Sequence, residues 1–244
     1  MPPIIHIVRH AQGLHNVFPG NDALVDPELT PTGIAQCASL RASFPHHAQL
    51  TLLAASPMRR ALQTCLHAFS NDTLAPVRAI DLLQETSDAP NDTGSSVDVL
   101  RAEFGDTVDF SSVSPSWTDK SEGSFFAPEI EKVVERARVT RRSLKEILGD
   151  GDGQAVCVSH GGYVHFLTDD WEGVSLQRRS TWANCDYRSY QFVDGGSNEV
   201  KLRETDESWR RRKGHQARPT DEEQAAWREQ VFEDFGPHMR YKGP

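Results

Sequence analysis

Apolar and polar positions divide this chain into short β-branched runs and longer segments of helical period. The first run, Ile4-Ile5-His6-Ile7-Val8, leaves almost no polar face, which suits a central strand of a parallel sheet buried on both sides. It stops at Arg9-His10 and a small turn containing Gly13. A second run, Leu52–Ala55, leads into a helix predicted from Ser56 as N-cap and Pro57 as first residue through Phe69. A third, Ala155–Ser159, ends in His160-Gly161-Gly162 and is followed by a short helix predicted to about Asp169. Val77–Ile80 reads as a further strand.

Helix signals fill the intervals. Thr30 is a natural N-cap with Pro31 behind it, and Pro45 stops that helix near Phe44. Ser96 caps a short helix over Val97–Phe104. Pro128–Leu148 repeats Ile130, Val133, Val134, Ala137, Leu144 and Ile147 at near-helical spacing until Gly149 ends it. Asn184–Val193 and Glu199–Arg203 flank Asp194-Gly195-Gly196, a hairpin signal. Thr220-Asp-Glu-Glu223 is a capping box opening a helix to about Phe235, with Trp227, Val231 and Phe232 on one stripe that docks on the body or supports a homodimer contact.

The alternation of strands and helices indicates an α/β protein. A chain of 244 residues without internal repeats fits one domain over 1–244, with a core from about 4 to 204 and an extension over 205–244. The formal net charge of −9 argues against general affinity for nucleic acid or anionic membrane, so any phosphate site is a local positive pocket in an acidic molecule. Cys37, Cys65, Cys157 and Cys185 form no Cys-x-x-Cys pair, and no Asp/His cluster has metal-ligand spacing. The first strand follows Met1-Pro-Pro directly and no run is long enough to span a bilayer, so a cytoplasmic address is expected.

Candidate chemistry sits where strands end. Neutral imidazole is a nucleophile near pH 7 and guanidinium grips phosphate oxygens in a bidentate fork, so Arg9-His10 at a sheet's carboxyl edge is a potential phosphoryl-transfer site. The pair alone is weak evidence. His160-Gly161-Gly162 repeats the arrangement, with glycines that let backbone approach a ligand. Arg59 and Arg60 project from the first turn of a helix whose N-terminus already favours anions. Asn16 can donate an amide hydrogen bond to phosphate or simply form a turn, and His15 is either solvent-facing or adjacent to substrate.

These motifs resemble the histidine phosphatase superfamily, in its phosphoglycerate mutase-like branch 1. Arg9-His10-Ala11 stands where the family has Arg-His-Gly; Asn16, Ser56-x-Met-x-Arg60-Ala61-x-x-Thr64 and Ser159-His160-Gly161-Gly162 match its later motifs. The resemblance implies a three-layer α/β/α sandwich with a mostly parallel central sheet. It implies a histidine acid-type phosphatase, metal-independent and without a cofactor, acting on a small phosphate ester through a phosphohistidine on His10. Arg9, Arg60, His160 and Asn16, with Gly161 and Gly162, would hold the phosphate, and Arg59 is left as a variable neighbour. The family commonly carries its proton donor as Leu-x-Glu, which matches Leu83-Gln84-Glu85; Asp88 is the competing carboxylate and Asp92 is read as a turn or cap residue.

The segment from Val97 to Pro128 is where the superfamily varies. Trp117, Phe125 and Phe126 there are read as packing over the sheet in preference to a substrate wall. The loop after His10 lacks the extended pattern of glycolytic mutases, which favours hydrolysis over mutase or bisphosphatase transfer. A regulatory protein that only binds phosphate ligands is the reading from another class, and retention of the motif residues weighs against it.

Overall fold

The computed structural model describes residues 2–17, 20–71, 73–196 and 199–241; Phe18 and Pro19, in the loop after His10, lie outside the described residues. The elements in chain order are β1 (Ile4–Arg9), α1 (Pro31–Ser43), β2 (Leu50–Ala55), α2 (Arg59–Phe69), β3 (Val77–Ala79), α3 (Val97–Phe104), β4 (Val108–Asp109) and α4 (Ile130–Leu148). They continue with β5 (Gln154–Ser159), α5 (Tyr163–Thr168), β6 (Tyr187–Asp194), β7 (Val200–Glu204), α6 (Asp206–Lys213) and α7 (Asp221–Phe235).

The seven strands form one sheet in the order β4-β3-β2-β5-β1-β6-β7. β1, β2, β3, β4 and β5 run parallel, and β6 and β7 close the far side as an antiparallel hairpin. Alternate residues of the central strands feed two cores. Val8, Leu53, Ala55, Val156 and Val158 pack with Cys37 and Leu40 of α1 and Leu62 and Cys65 of α2. Ile5, Ile7, Ala54 and Cys157 pack with Val133, Ala137 and Leu144 of α4, Val164 and Leu167 of α5, and Val231 of α7. Helices on both faces make the three-layer α/β/α sandwich.

Several boundaries differ from the sequence expectation, each for a local reason. α2 begins at Arg59, with Met58 as an N-cap lacking a side-chain cap, because the Ser56 N–H is drawn to the Val158 carbonyl at the end of β5. Pro57 therefore leads into the helix without being part of it. β6 begins at Tyr187, since Cys185 sits at φ 60° and its N–H donates to the Arg9 carbonyl. α4 begins two residues after Pro128, behind Glu129.

Trp209-Arg-Arg-Arg-Lys213 is a basic run engaged by acids and an aromatic ring. Arg212 pairs with Glu204 at 2.7 Å, Lys213 pairs with Glu172 at 2.6 Å, and Arg211 lies 3.7 Å above the Tyr187 ring. Trp117 and Phe126 are buried in the first core while Phe125 is exposed. The α7 stripe docks on the body, with Phe232 stacked on Phe166 at 5.6 Å. No helix among the described residues is long and apolar enough to cross a membrane.

Candidate active site

β1 and β5 pair from Ile4↔Gln154 to Arg9↔Ser159, and the His10 N–H donates to the Ser159 carbonyl, so both strands deliver their histidines to one point on the carboxyl edge. The His10 and His160 rings lie 5.2 Å apart. His10 Nδ1 is 2.7 Å from the Ala11 carbonyl, an acceptor only, so Nδ1 carries the proton and Nε2 keeps its lone pair. The Arg60 Nε–H points at that Nε2 from 3.3 Å. Burial, then the charges of Arg60 and Arg9, hold the His10 pKa well below the ordinary histidine range. A neutral, oriented imidazole is the form that attacks phosphorus.

His160 is fully buried, yet neither of its ring nitrogens has a hydrogen-bond partner. Burial, followed by the Arg60 charge, holds it neutral as well. Arg9 Nη1 donates to the Trp182 carbonyl at 2.5 Å, while its Nε is buried without a partner. Buried polar groups of this kind are costly unless a ligand satisfies them.

Arg60 is anchored from behind: Nη1 donates to the Asn91 carbonyl at 2.6 Å and Nη2 to Asp92 Oδ1 at 2.9 Å. Asp92, read from sequence as a turn or cap residue, is therefore the counter-ion of Arg60. Burial and the neighbouring Glu85 push its pKa up to about 6 despite Arg60. Ser87 Oγ donates to its other oxygen at 2.6 Å. Arg59 turns away to Asp26 at 3.3 Å and Glu103 at 2.7 Å.

Glu85 receives the N–H groups of Gly162 at 3.0 Å and Tyr163 at 2.8 Å, at the start of α5. The paired glycines have a steric reason. A Cβ on Gly162 would lie 2.7 Å from Glu85 Oε1, and one on Gly161 would lie 3.0 Å from Arg9 Nε. Asp88 is engaged elsewhere, by the C-terminal segment: it accepts from the Tyr241 N–H at 2.5 Å and Arg240 Nη1 at 3.5 Å. Asn16 is exposed, and its Oδ1 accepts from the Gly13 N–H at 3.0 Å.

His15 belongs beside the site, its ring 5.5 Å from His10 and its pKa pulled down to about 3 by burial and then by Arg60. Asn184 Nδ2 donates to the His10 carbonyl at 2.9 Å, a support that nothing in the local sequence announces. A surface cavity of about 970 Å³ between α4 and α7 is lined by none of His10, His160, Arg9, Arg60 and Glu85.

A parallel sheet whose neighbouring strands end in histidines, with two arginines aimed at the same point, defines a phosphatase or phosphoryl-transfer enzyme. The model for the histidine phosphatase superfamily (branch 1) matches residues 5–230, and the chain belongs to that superfamily. A phosphoglycerate mutase-like protein from Arabidopsis thaliana is 30% identical over 237 residues, covering 79% of this chain and 85% of that protein. Among solved structures, the ecdysone phosphate phosphatase of Bombix mori in complex with tungstate superposes at TM-score 0.55 and 15% identity, covering 82% of this chain and 92% of that one. The phosphoserine phosphatase of Entamoeba histolytica in complex with 3-phosphoglyceric acid superposes at TM-score 0.52 and 16% identity, covering 82% and 94%. These two likenesses establish the fold.

Proposed function

We propose that the protein is a metal-independent phosphomonoesterase that hydrolyses a small phosphorylated metabolite through a phosphohistidine on His10. The observation that carries this reading is the tautomer: Nδ1 is committed to the Ala11 carbonyl, so Nε2 is the attacking atom, facing Arg60 and His160. Nε2 attacks phosphorus, the phosphorus–oxygen ester bond breaks, and Glu85 passes its proton to the departing alkoxide. Water then attacks the phosphohistidine, the Glu85 carboxylate takes its proton, and inorganic phosphate leaves. Arg9, Arg60, His160 and Asn16 hold the non-bridging oxygens while charge builds on them. Neutralising that charge falls to Arg9 and Arg60.

The substrate class is a small phosphate ester, in keeping with the phosphoserine and ecdysone phosphate phosphatases whose fold the chain shares. A cytoplasmic address and the absence of nucleic-acid or membrane partners belong to the same proposal. The test is to trap acid-labile phosphate on the protein with p-nitrophenyl phosphate and a panel of phosphorylated metabolites. His10→Ala is expected to abolish trapping and turnover together. Full turnover by that variant overturns the mechanism, and transfer of the trapped phosphoryl group to a phosphoglycerate in place of water makes the protein a mutase.

A further inference from the structure

Two buried cations near the site have no role in the chemistry above. Arg136 of α4 and Lys120 of the 110–128 segment are 1% and 8% exposed, and among the described residues neither forms an ion pair. Both reach the same atom: Arg136 Nη2 donates to the Glu85 carbonyl at 3.1 Å and Lys120 Nζ approaches it at 3.4 Å. Arg136 lies 4.3 Å over the Tyr163 ring and leaves Nε and Nη1 buried without partners. Burying an arginine and a lysine is costly, and here both are spent on one carbonyl, that of the residue read as the proton donor.

We propose that Arg136 and Lys120 are positioning residues: a two-donor clamp on the Glu85 main chain that seats its carboxylate on the Gly162 and Tyr163 N–H groups. This rests on the phosphohistidine reading, in which Glu85 is the proton donor. With its carbonyl held by two donors and its carboxylate by two N–H groups, Glu85 stays fixed in the geometry that proton transfer to the alkoxide, and then from water, requires. Burial, helped by Arg136, pulls the Lys120 ammonium down to about 7, so Lys120 is fully charged only below neutrality.

The test compares wild type with Lys120→Met, Arg136→Met and Arg136→Lys, each alone, and with Lys120→Met on a Glu85→Gln background. Wild type is first shown to form phosphohistidine. An alkyl leaving group needs a proton and p-nitrophenolate does not, so the ratio of alkyl to aryl rates of phosphohistidine formation reports how well the donor is placed. Lys120→Met and Arg136→Met are expected to lower that ratio by about ten-fold, and Arg136→Lys to restore most of it. On the Glu85→Gln background Lys120→Met is expected to leave the ratio where it is. If Arg136→Met does not fold, Lys120→Met decides alone. A ratio that stays at the wild-type value while both rates fall equally shows mere structural support and overturns the clamp alone; absence of phosphohistidine in wild type overturns the mechanism and the clamp with it.

Discussion

Replacing Gly162 by alanine perturbs chiefly the anchoring of Glu85, with Thr86 Oγ1, 3.2 Å from the added Cβ, giving by a few tenths of an ångström. Gly162 sits at φ −74°, ψ −48°, where alanine is fully at home, so the backbone bears no penalty. The added Cβ would lie 2.7 Å from Glu85 Oε1, where ordinary contact begins at 3.4 Å, so the oxygen must retreat by about 0.7 Å. Its easiest path is to swing off the Gly162 and Tyr163 N–H groups, now 3.0 and 2.8 Å away. A hydrogen bond to a charged group is worth about 1.5–3 kcal/mol, which is roughly ten- to hundred-fold in rate per bond lost. Complete loss of the donor costs about 10² to 10⁴. Hydrolysis of an alkyl phosphate should therefore fall by about 10² in Gly162→Ala, while formation of phosphohistidine from p-nitrophenyl phosphate stays within a few-fold. Burst kinetics on both substrates, with a melting curve to show the fold intact, is the assay. An unchanged ratio of alkyl to aryl rates in a folded variant refutes the assignment of Glu85 as donor.

The two adjacent arginines should separate cleanly: Arg60→Ala is expected to lower kcat/KM by several orders of magnitude, because in the proposed mechanism it grips the phosphate and its Nε–H reaches His10 Nε2, whereas Arg59→Ala should leave kcat nearly intact. Its loss instead strips the buried Asp26 of its cation and should lower stability by about 1–3 kcal/mol, read by denaturant melting; equal kinetic losses would place Arg59 in the phosphate shell. Asp92→Asn keeps the size but removes the counter-ion of Arg60, and about ten- to hundred-fold should be lost from kcat/KM, a loss that wild-type kinetics would disprove. Burial holds His6, His15 and His165 at about 4, 3 and 4 against an ordinary 6.5, so below 6.5 the unfolded chain binds more protons than the folded one and stability falls with falling pH. Each contributes at most about 1.4 kcal/mol per pH unit, opposed by Asp92 with its raised value, and a Tm that fails to drop between pH 7 and 5 contradicts the neutral buried histidines.

What could be read from the chain follows a physical division. Local rules located Thr30 and Pro31 at the start of α1, Ser96 before α3, and the Thr220 capping box, because caps are set by residues within one turn. The continuous apolar run Ile4–Val8 identified a strand buried on both faces for the same reason. Helix starts failed where a tertiary bond intervened, as at Ser56, whose N–H serves β5. At the site, His10 and His160 were visible as strand ends. Asp92, Lys120 and Arg136 were not: an acid in a turn-rich run, a lysine in a polar loop and an arginine on a charged helix look solvated until the fold buries them around Glu85 and Arg60. The only advance sign of Asp92 was general, since a buried arginine calls for a counter-ion somewhere.

The pairing of β1 with β5 also governs when the protein can work during its own synthesis. Ile4 and Gln154 are register partners, so the strand carrying His10 acquires its neighbour only after some 150 further residues have been made. At about 5–20 residues per second the gap is on the order of ten seconds, and long-range parallel pairing is slow in its own right. Until β5 inserts between β1 and β2, the nascent chain holds a histidine without the Ser159 carbonyl that fixes its backbone or the second imidazole beside it. Enzymatic turnover thus doubles as a readout of completed folding: a misassembled or prematurely terminated chain would be silent rather than weakly active.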